Sequence, residues 1–269
     1  MSAGRTVRGQ DVPDEPTPTT RIAELMNAFP PTTSIPRSAP RPTLSRRPPP
    51  PPPQSPIPES ARALRAERWK AVLDVPLAAL MLVAAIPVLV AASLLVRATS
   101  RGPAIYTQKR VGRGGRVFTI YKIRTMAHDC ESLTGPRWSM PGDPRVTPIG
   151  EVLRTLHIDE LPQLWNVIRG DMALVGPRPE RPEICKELRR AVPGYDRRHT
   201  LKPGITGFAQ VHLPPDSSLQ SVRNKVIYDR FYTQRVSVFM DLRVYVCTAF
   251  KLLGLRRIYG RPPRIPSDD

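Results

Sequence analysis

Residues 101–260 are predicted to form a compact cytosolic α/β domain, mostly helical with a few short strands, carried on a Pro-kinked apolar helix at 61–100. A disordered Pro-rich tail precedes it at 1–60, and a short polar tail follows at 261–269. Three observations carry this prediction. Residues 75–96 form a run of 22 residues without a formal charge. Residues 1–60 hold 16 of the 34 prolines, six of them consecutive at 48–53. Between 101 and 260, short strand-like runs bounded by glycine give way to stretches with apolar residues three and four apart, the period of a helix with one buried face.

The tail has few large apolar residues, so it cannot bury enough surface to offset the entropy of ordering it. Its polyproline run is read as an extended polyproline II segment. The short apolar patch at 22–29 is read as part of the same solvated tail. The tail carries seven of the 41 Lys and Arg and five of the 23 Asp and Glu, leaving +16 of the +18 net charge on residues 61–269. A surplus of that size implies an anionic partner: nucleic acid, anionic lipid headgroups or nucleotide phosphates. There is no zinc-finger spacing, aromatic RNA-binding signature or recognition-helix unit, which argues against nucleic acid, and the apolar run favours the membrane. Cys130, Cys185 and Cys247 are odd in number and far apart. They suit a reducing cytoplasm better than a disulfide framework or a zinc site. No apolar core with a small-residue cleavage site marks a secretory signal, and no internal repeat is visible.

A straight helix over residues 75–96 is about 33 Å long, enough to cross a ~30 Å hydrocarbon core. Pro87 stands near its middle, where a missing N–H and a steric clash predict a kink. Arg62, Arg65, Arg68 and Lys70 precede the run, and Arg97, Arg101, Lys109, Arg110, Arg113 and Arg116 follow it. Basic residues mark the cytoplasmic side, so basic flanks at both ends favour a re-entrant hairpin, although proline also occurs in true spans.

Strands are predicted at 104–108 and 117–123, with Gly112, Gly114 and Gly115 between them. The glycines lack the spacing and the Lys-Ser/Thr of a nucleoside triphosphate loop. Lys122 and Arg124, near a strand end, read on their own as solvated edge cations. A loop at 132–148 containing Trp138 leads to a helix at 149–156, where Ile149, Val152, Leu153 and Leu156 should face a core and Arg154 should point elsewhere. A basic helix follows at 181–192, then a turn into a strand at 203–211 and helices at 222–231 and 238–253. In the last of these, Phe239, Leu242, Val246 and Phe250 form an apolar face ringed by Arg243, Lys251, Arg256 and Arg257. That pattern fits either packing on the domain or a position in the lipid interface.

The chain is organised around residues 154–180, RTLHIDELPQLWNVIRGDMALVGPRPE. Pro162 is tolerated only in the first turn of a helix, so Asp159 and Glu160 are predicted at the N-terminal end of a helix reaching about Ile168. Arg154 and Arg178 flank the acid pair. Backbone N–H groups at a helix start favour anions, so a carboxylate, a hard cation and a substrate phosphate can share such a site when arginines balance the charge. Taken singly, an acidic first turn and a Gly-Pro-Arg-Pro turn are ordinary punctuation. Together they are specific. DELPQLWNVIRGDMALVGPRP, with YKIRTM at 121–126 and PGITGFAQV at 203–211, resembles the bacterial sugar transferase family, the monotopic polyprenyl-phosphate phosphoglycosyl transferases, over residues 68–259.

The resemblance implies a re-entrant membrane helix bent at Pro87 and an enzyme at the cytoplasmic face of the inner (plasma) membrane. Asp159 attacks the sugar-linked phosphate of a UDP-sugar, UMP leaves, and undecaprenyl (polyprenyl) phosphate then takes the phosphosugar, giving polyprenyl diphosphate sugar as the first membrane step of exopolysaccharide or glycoconjugate assembly. Glu160 assists through a metal or as a base. Magnesium, with manganese as an alternative, is held by Asp159 and Glu160, while Arg154, Arg178, Lys122 and Arg124 contact phosphate. Membrane lipid is a partner, and a homodimer is left open. The alternative is a non-catalytic membrane-bound scaffold of the same fold that recruits assembly partners, but a scaffold needs neither the acids nor the arginines. Two departures from the family pattern stand out. His157 replaces a hydroxyl residue two before the acids. His212, Leu213, Pro214 and Pro215 replace an arginine-bearing turn, for which Arg223 is the nominated substitute.

Overall fold

The computed structural model describes residues 61–130, 139, 142–216 and 218–255. The tail at 1–60 with its polyproline run and apolar patch, Trp138, Arg256, Arg257 and the tail at 261–269 lie outside the described residues.

The apolar run is the middle of one long helix, α1 (Ala61–Thr99), with Pro76 as well as Pro87 inside it. Among the described residues it is the one helix long and apolar enough to cross a membrane. Ala66, Lys70, Asp74, Ala78, Ala85, Ala92 and Val96 are buried along one stripe of α1, while Val72, Leu80, Val83, Ile86 and Leu94 stay exposed. Small alanines let the helix approach the domain closely, and the exposed branched residues form the apolar face that lipid would cover.

The two arms of α1 are attached differently. Before the apolar run, Glu67 accepts from the Lys202 N–H at 2.6 Å and pairs with Arg113 at 2.5 Å. Lys70 pairs with Asp241 and donates to the Tyr232 hydroxyl at 3.0 Å. Asp74 accepts from the Leu174 N–H at 3.0 Å and the Tyr245 hydroxyl at 3.2 Å. Beyond Pro87 the contact is mostly apolar, Ala92 and Val96 packing with Ala104, Ile123 and Leu153, with a polar contact from Arg124 to Ser100 just past the end of α1. Lys70, Arg110 and Arg113 are therefore not free flanking charge as the sequence suggested. Each is taken up by a carboxylate of the domain or of α1, because a buried cation without a partner is costly.

β1 (Ile105–Val111) and β2 (Val117–Ile123) form an antiparallel hairpin, Ile105 opposite Ile123 and Val111 opposite Val117. Its reversal passes through a 3₁₀ turn in which Gly114 takes φ 61°. α2 (Pro148–Thr155) opens with Thr147 accepting from the Gly150 N–H. Leu153 is buried as expected, but Val152 and Leu156 are exposed. The narrow contact face of α2 is set by Gly150, where a side chain would collide with the Thr125 carbonyl. α3 (Gln163–Ile168) ties the hairpin down through Asn166, whose amide donates to the Thr119 carbonyl at 2.7 Å and accepts from the Tyr121 N–H at 3.2 Å.

β3 (Ala173–Val175) pairs in parallel with β4 (Gly204–Thr206), the two being separated by α4 (Pro182–Ala191) and a 3₁₀ stretch at Tyr195–Thr200. The strand expected to run to 211 stops at Thr206, and α5 (Phe208–His212) takes its place. α6 (Leu219–Arg235) begins with a reciprocal Ser218/Ser221 cap, and α7 (Val238–Leu252) with Ser237 accepting from Met240. The predicted apolar face of α7 is not its packed face. Asp241, Val244 and Cys247 are buried, while Phe239, Leu242 and Val246 are exposed. The Asp241–Lys70 pair sets this rotation of the helix, because that carboxylate must reach its cation.

Candidate active site

α2 ends at Thr155 with Leu156 as its C-cap, and His157 reverses the chain with a left-handed φ of 55° and no side-chain cap. A single 3₁₀ turn, Ile158–Glu160, carries the acids, and Pro162 caps α3. The acid pair thus lies one turn before α3 rather than in its first turn. The tight turn presents the adjacent carboxylates to different neighbours.

The Gly-Pro-Arg-Pro segment follows β3, where three glycines allow two backbones to touch. A side chain at Gly176, Gly204 or Gly207 would collide with the facing backbone of Lys202 or Gly176. The Gly176 N–H donates to the Thr206 carbonyl at 2.9 Å, and the Gly204 N–H to the Pro177 carbonyl at 3.0 Å. This contact fixes the backbone from which Arg178 projects. Arg198, buried and paired with Asp229 at 2.7 Å, donates to the Arg178 carbonyl at 2.9 Å.

Glu160 receives both nearby cations, Arg178 Nη2 at 2.6 Å and Lys122 Nζ at 2.7 Å on Oε1, with Arg178 Nη1 at 3.5 Å from Oε2. Asp159 is buried, and among the described residues its carboxylate accepts no hydrogen bond. The two acids are consequently driven apart. Burial raises Asp159 above the ordinary carboxylate range, with Glu160 adding to the rise against Lys122, Arg154 and Arg178. Burial also acts to raise Glu160, but Arg178 and Lys122 outweigh it and hold that group well below its usual value. Such a split between neighbouring carboxylates is the pattern of two groups with different roles.

Arg154 Nε donates to the Thr125 hydroxyl at 2.8 Å and Nη1 to the Ser139 hydroxyl at 2.7 Å. Lys122, expected from its position alone to be a solvated edge cation, is instead largely buried on Glu160. Arg124 is buried but stands apart from the acid pair, donating to Ser100 at the end of α1. All six predicted site residues nevertheless line one cleft of about 1500 Å³. Another part of its wall is apolar, with Leu77 and Met81 of α1, Ile205 and Leu252.

Arg223 is exposed and does not line the cleft. Lys225, two residues on, does, bonded to Glu180 at 3.2 Å and Asp216 at 2.6 Å. Glu180 also meets Arg110 at 3.6 Å, and Lys225 and Arg110 overcome its burial to hold it at about 2. Sequence reading missed this second cluster. Its one visible signal was Glu180 itself, closing the Gly-Pro-Arg-Pro motif. His212 is buried against Phe208 and Tyr228, and burial beside Arg243 lowers it to about 4, so it replaces an arginine contact with packing.

Among the described residues, a cation-lined cleft thus holds a buried carboxylate that accepts no hydrogen bond, next to a helix of membrane length. The chain belongs to the bacterial sugar transferase family, whose model matches residues 65–254. It is 40% identical over 206 residues to the UDP-glucose:undecaprenyl-phosphate glucose-1-phosphate transferase of Caulobacter vibrioides, covering 76% of this chain and 75% of that protein. The UDP-N-acetylgalactosamine-undecaprenyl-phosphate N-acetylgalactosaminephosphotransferase of Aeromonas hydrophila is 40% identical over 167 residues, covering 62% of this chain and 39% of that protein. The UDP-glucose:undecaprenyl-phosphate glucose-1-phosphate transferase of Escherichia coli is 37% identical over 180 residues, covering 66% and 39%. The chain thus spans about two fifths of the length of the second and third of these relatives.

Proposed function

We propose that this protein transfers a phosphosugar from a UDP-sugar to undecaprenyl or a similar polyprenyl phosphate, through a phosphosugar ester on Asp159. The observation that carries this reading is the division of labour in the acid pair: Glu160 is saturated by Arg178 and Lys122, while Asp159 keeps its lone pairs. The names of the relatives support the substrate classes. An Asp159 carboxylate oxygen attacks the sugar-linked phosphorus, the bond to UMP breaks, and UMP leaves with the electron pair. An oxygen of polyprenyl phosphate then attacks the same phosphorus and releases Asp159. Arg178, Lys122 and Arg154 offset the negative charge that would otherwise repel a carboxylate from a phosphate. Glu160 holds Arg178 and Lys122 in place, a role its lowered pKa suits better than that of a base.

No three His, Cys, Asp or Glu side chains converge as a metal cage among the described residues. That fits magnesium, which takes one or two carboxylates and completes its shell with water and substrate phosphate. Asp159 would hold the ion, Glu160 being taken up by Arg178 and Lys122, and when bound the ion would supply charge neutralisation at the diphosphate. The Glu67–Arg113 pair joins a residue before the apolar run to one after it, and both arms pack on one domain. A single span would set those flanks on opposite sides of a ~30 Å core, so the contact supports a re-entrant α1 at the cytoplasmic face.

The test uses purified protein, magnesium and a panel of UDP-sugars without lipid. The expected result is UMP release and a protein heavier by one phosphosugar. UMP appearing only with polyprenyl phosphate, with no adduct trapped, would mean direct transfer. No UMP from any UDP-sugar in the presence of lipid would overturn the transferase reading in favour of the scaffold.

A further inference from the structure

We infer that Arg124 forms a second anion site, distinct from the Arg178–Lys122 cluster, that takes the phosphate of the polyprenyl acceptor. The inference rests on the proposed transferase reading. Among the cations lining the cleft, Lys122 and Arg178 are held by Glu160, and Arg110 and Lys225 by Glu180. Arg154 is bonded to the Thr125 and Ser139 hydroxyls, and among the described residues Arg124 pairs with no carboxylate. It is 6% exposed, and its described hydrogen bonds both come from Nη2, to the Ser100 carbonyl at 3.0 Å and the Ser100 hydroxyl at 2.8 Å. Its Nε and Nη1 groups are buried without a partner. Buried guanidinium N–H groups left unsatisfied are costly, and they mark where an anionic acceptor is missing.

Gly102 lets the backbone pass directly against this guanidinium. This residue takes φ +98°, and a side chain there would collide with Arg124 Nη1 and the His128 ring. The position along the chain identifies the anion. Ser100 lies just beyond Val96, where the uncharged run of α1 ends, and the adjacent Leu94 and Leu95 are exposed. A phosphate on Arg124 therefore sits where an apolar helix gives way to polar chain, the level of a lipid head group, with an exposed apolar surface alongside for a prenyl tail. The planar guanidinium can offer Nε and an Nη to two oxygens of one phosphate.

Binding is measured at equilibrium in detergent micelles, without a sugar donor, using polyprenyl phosphate, unphosphorylated polyprenol, inorganic phosphate and UDP as probes. The wild type should bind polyprenyl phosphate in preference to polyprenol, and inorganic phosphate should compete with the lipid. Arg124→Gln should weaken polyprenyl phosphate binding roughly tenfold or more, the scale of one lost charge-assisted hydrogen bond, and leave UDP affinity within about twofold. Gly102→Ala, whose side chain would collide with Nη1 and displace the guanidinium, should act in the same direction. If Arg124→Gln does not fold, Arg124→Lys decides, with an intermediate loss of lipid affinity expected. Unchanged lipid affinity in a folded Arg124 variant, or a parallel fall in UDP affinity, would each overturn the assignment. Since no sugar is transferred in this measurement, failure of the transferase reading would appear separately, as absent UMP release with lipid binding intact.

Discussion

Two of the buried charge clusters of this domain are completed in opposite ways. At the root of α1, Lys70, Asp74, Asp241, Tyr232 and Tyr245 satisfy one another, Tyr232 donating to Asp241 at 2.6 Å. At the acid pair, Glu160 takes both nearby cations and Asp159 receives no hydrogen bond. Both clusters pair acids with cations. What separates them is residual valence. A closed cluster holds elements together, whereas an open one has bonding capacity left for substrate. Composition alone does not distinguish the two cases.

The comparison is broken most sharply at Asp159. Asp159→Asn should lower UMP release by on the order of 10³-fold or more and abolish the protein adduct, because an amide does not attack phosphorus. Its thermal unfolding in detergent should stay close to wild type, since no hydrogen bond is lost. A large drop in stability would place Asp159 among the structural charges instead. Lys70→Met should show the reverse, costing about 3–5 kcal/mol by leaving Asp241 buried without its cation. The double variant Lys70→Met, Asp241→Leu should recover much of that loss. Purified Lys70→Met that melts like wild type would mean the root cluster holds nothing.

Glu180 offers a test through pH. Its folded value of about 2 lies below the ordinary 4.5, so its contribution is fully present above pH 4.5 and is lost as pH falls toward about 2. The linkage is on the order of 3 kcal/mol. Glu180→Gln should therefore melt earlier at pH 7 and lose less on acidification from pH 5 to pH 3 than the wild type, and equal acid sensitivity in the two would contradict the pairing with Lys225 and Arg110. The smallest effect is expected for Arg178→Lys. It keeps the charge but not the two-point geometry on Glu160, lowering kcat/KM by about tenfold. Full activity would show that only the charge matters there.

Much of this molecule was legible before its structure. The hairpin strands, the helices and the long apolar segment follow from periodicity and punctuation, and the six nominated side chains do line one cleft. The errors were of rotation and partnership. Phe239, Leu242 and Val246 recur at helical spacing, which suits either packing on the domain or the lipid interface, and with Asp241, Val244 and Cys247 turned inward their exposed face agrees with the second. Arg223 was the nearest arginine to the altered turn, but Lys225 reaches the cleft. Asp159 and Glu160 are equivalent as sequence. Only their surroundings make them different.

The sequence by itself determined what depends on neighbours along the chain: where apolar residues repeat, where proline and glycine interrupt, which acids and arginines share a motif, and that one segment has membrane length. The tertiary structure decided what depends on residues far apart in sequence. Lys122 reaches Glu160 across 38 positions, and Lys70 reaches Asp241 across 171. Local propensity acts over a few residues, whereas the energy of a buried charge is set by whichever group the fold brings within hydrogen-bond distance. For that reason the chain announced an acid pair, and only the folded protein showed that Glu160 is held and Asp159 is left open.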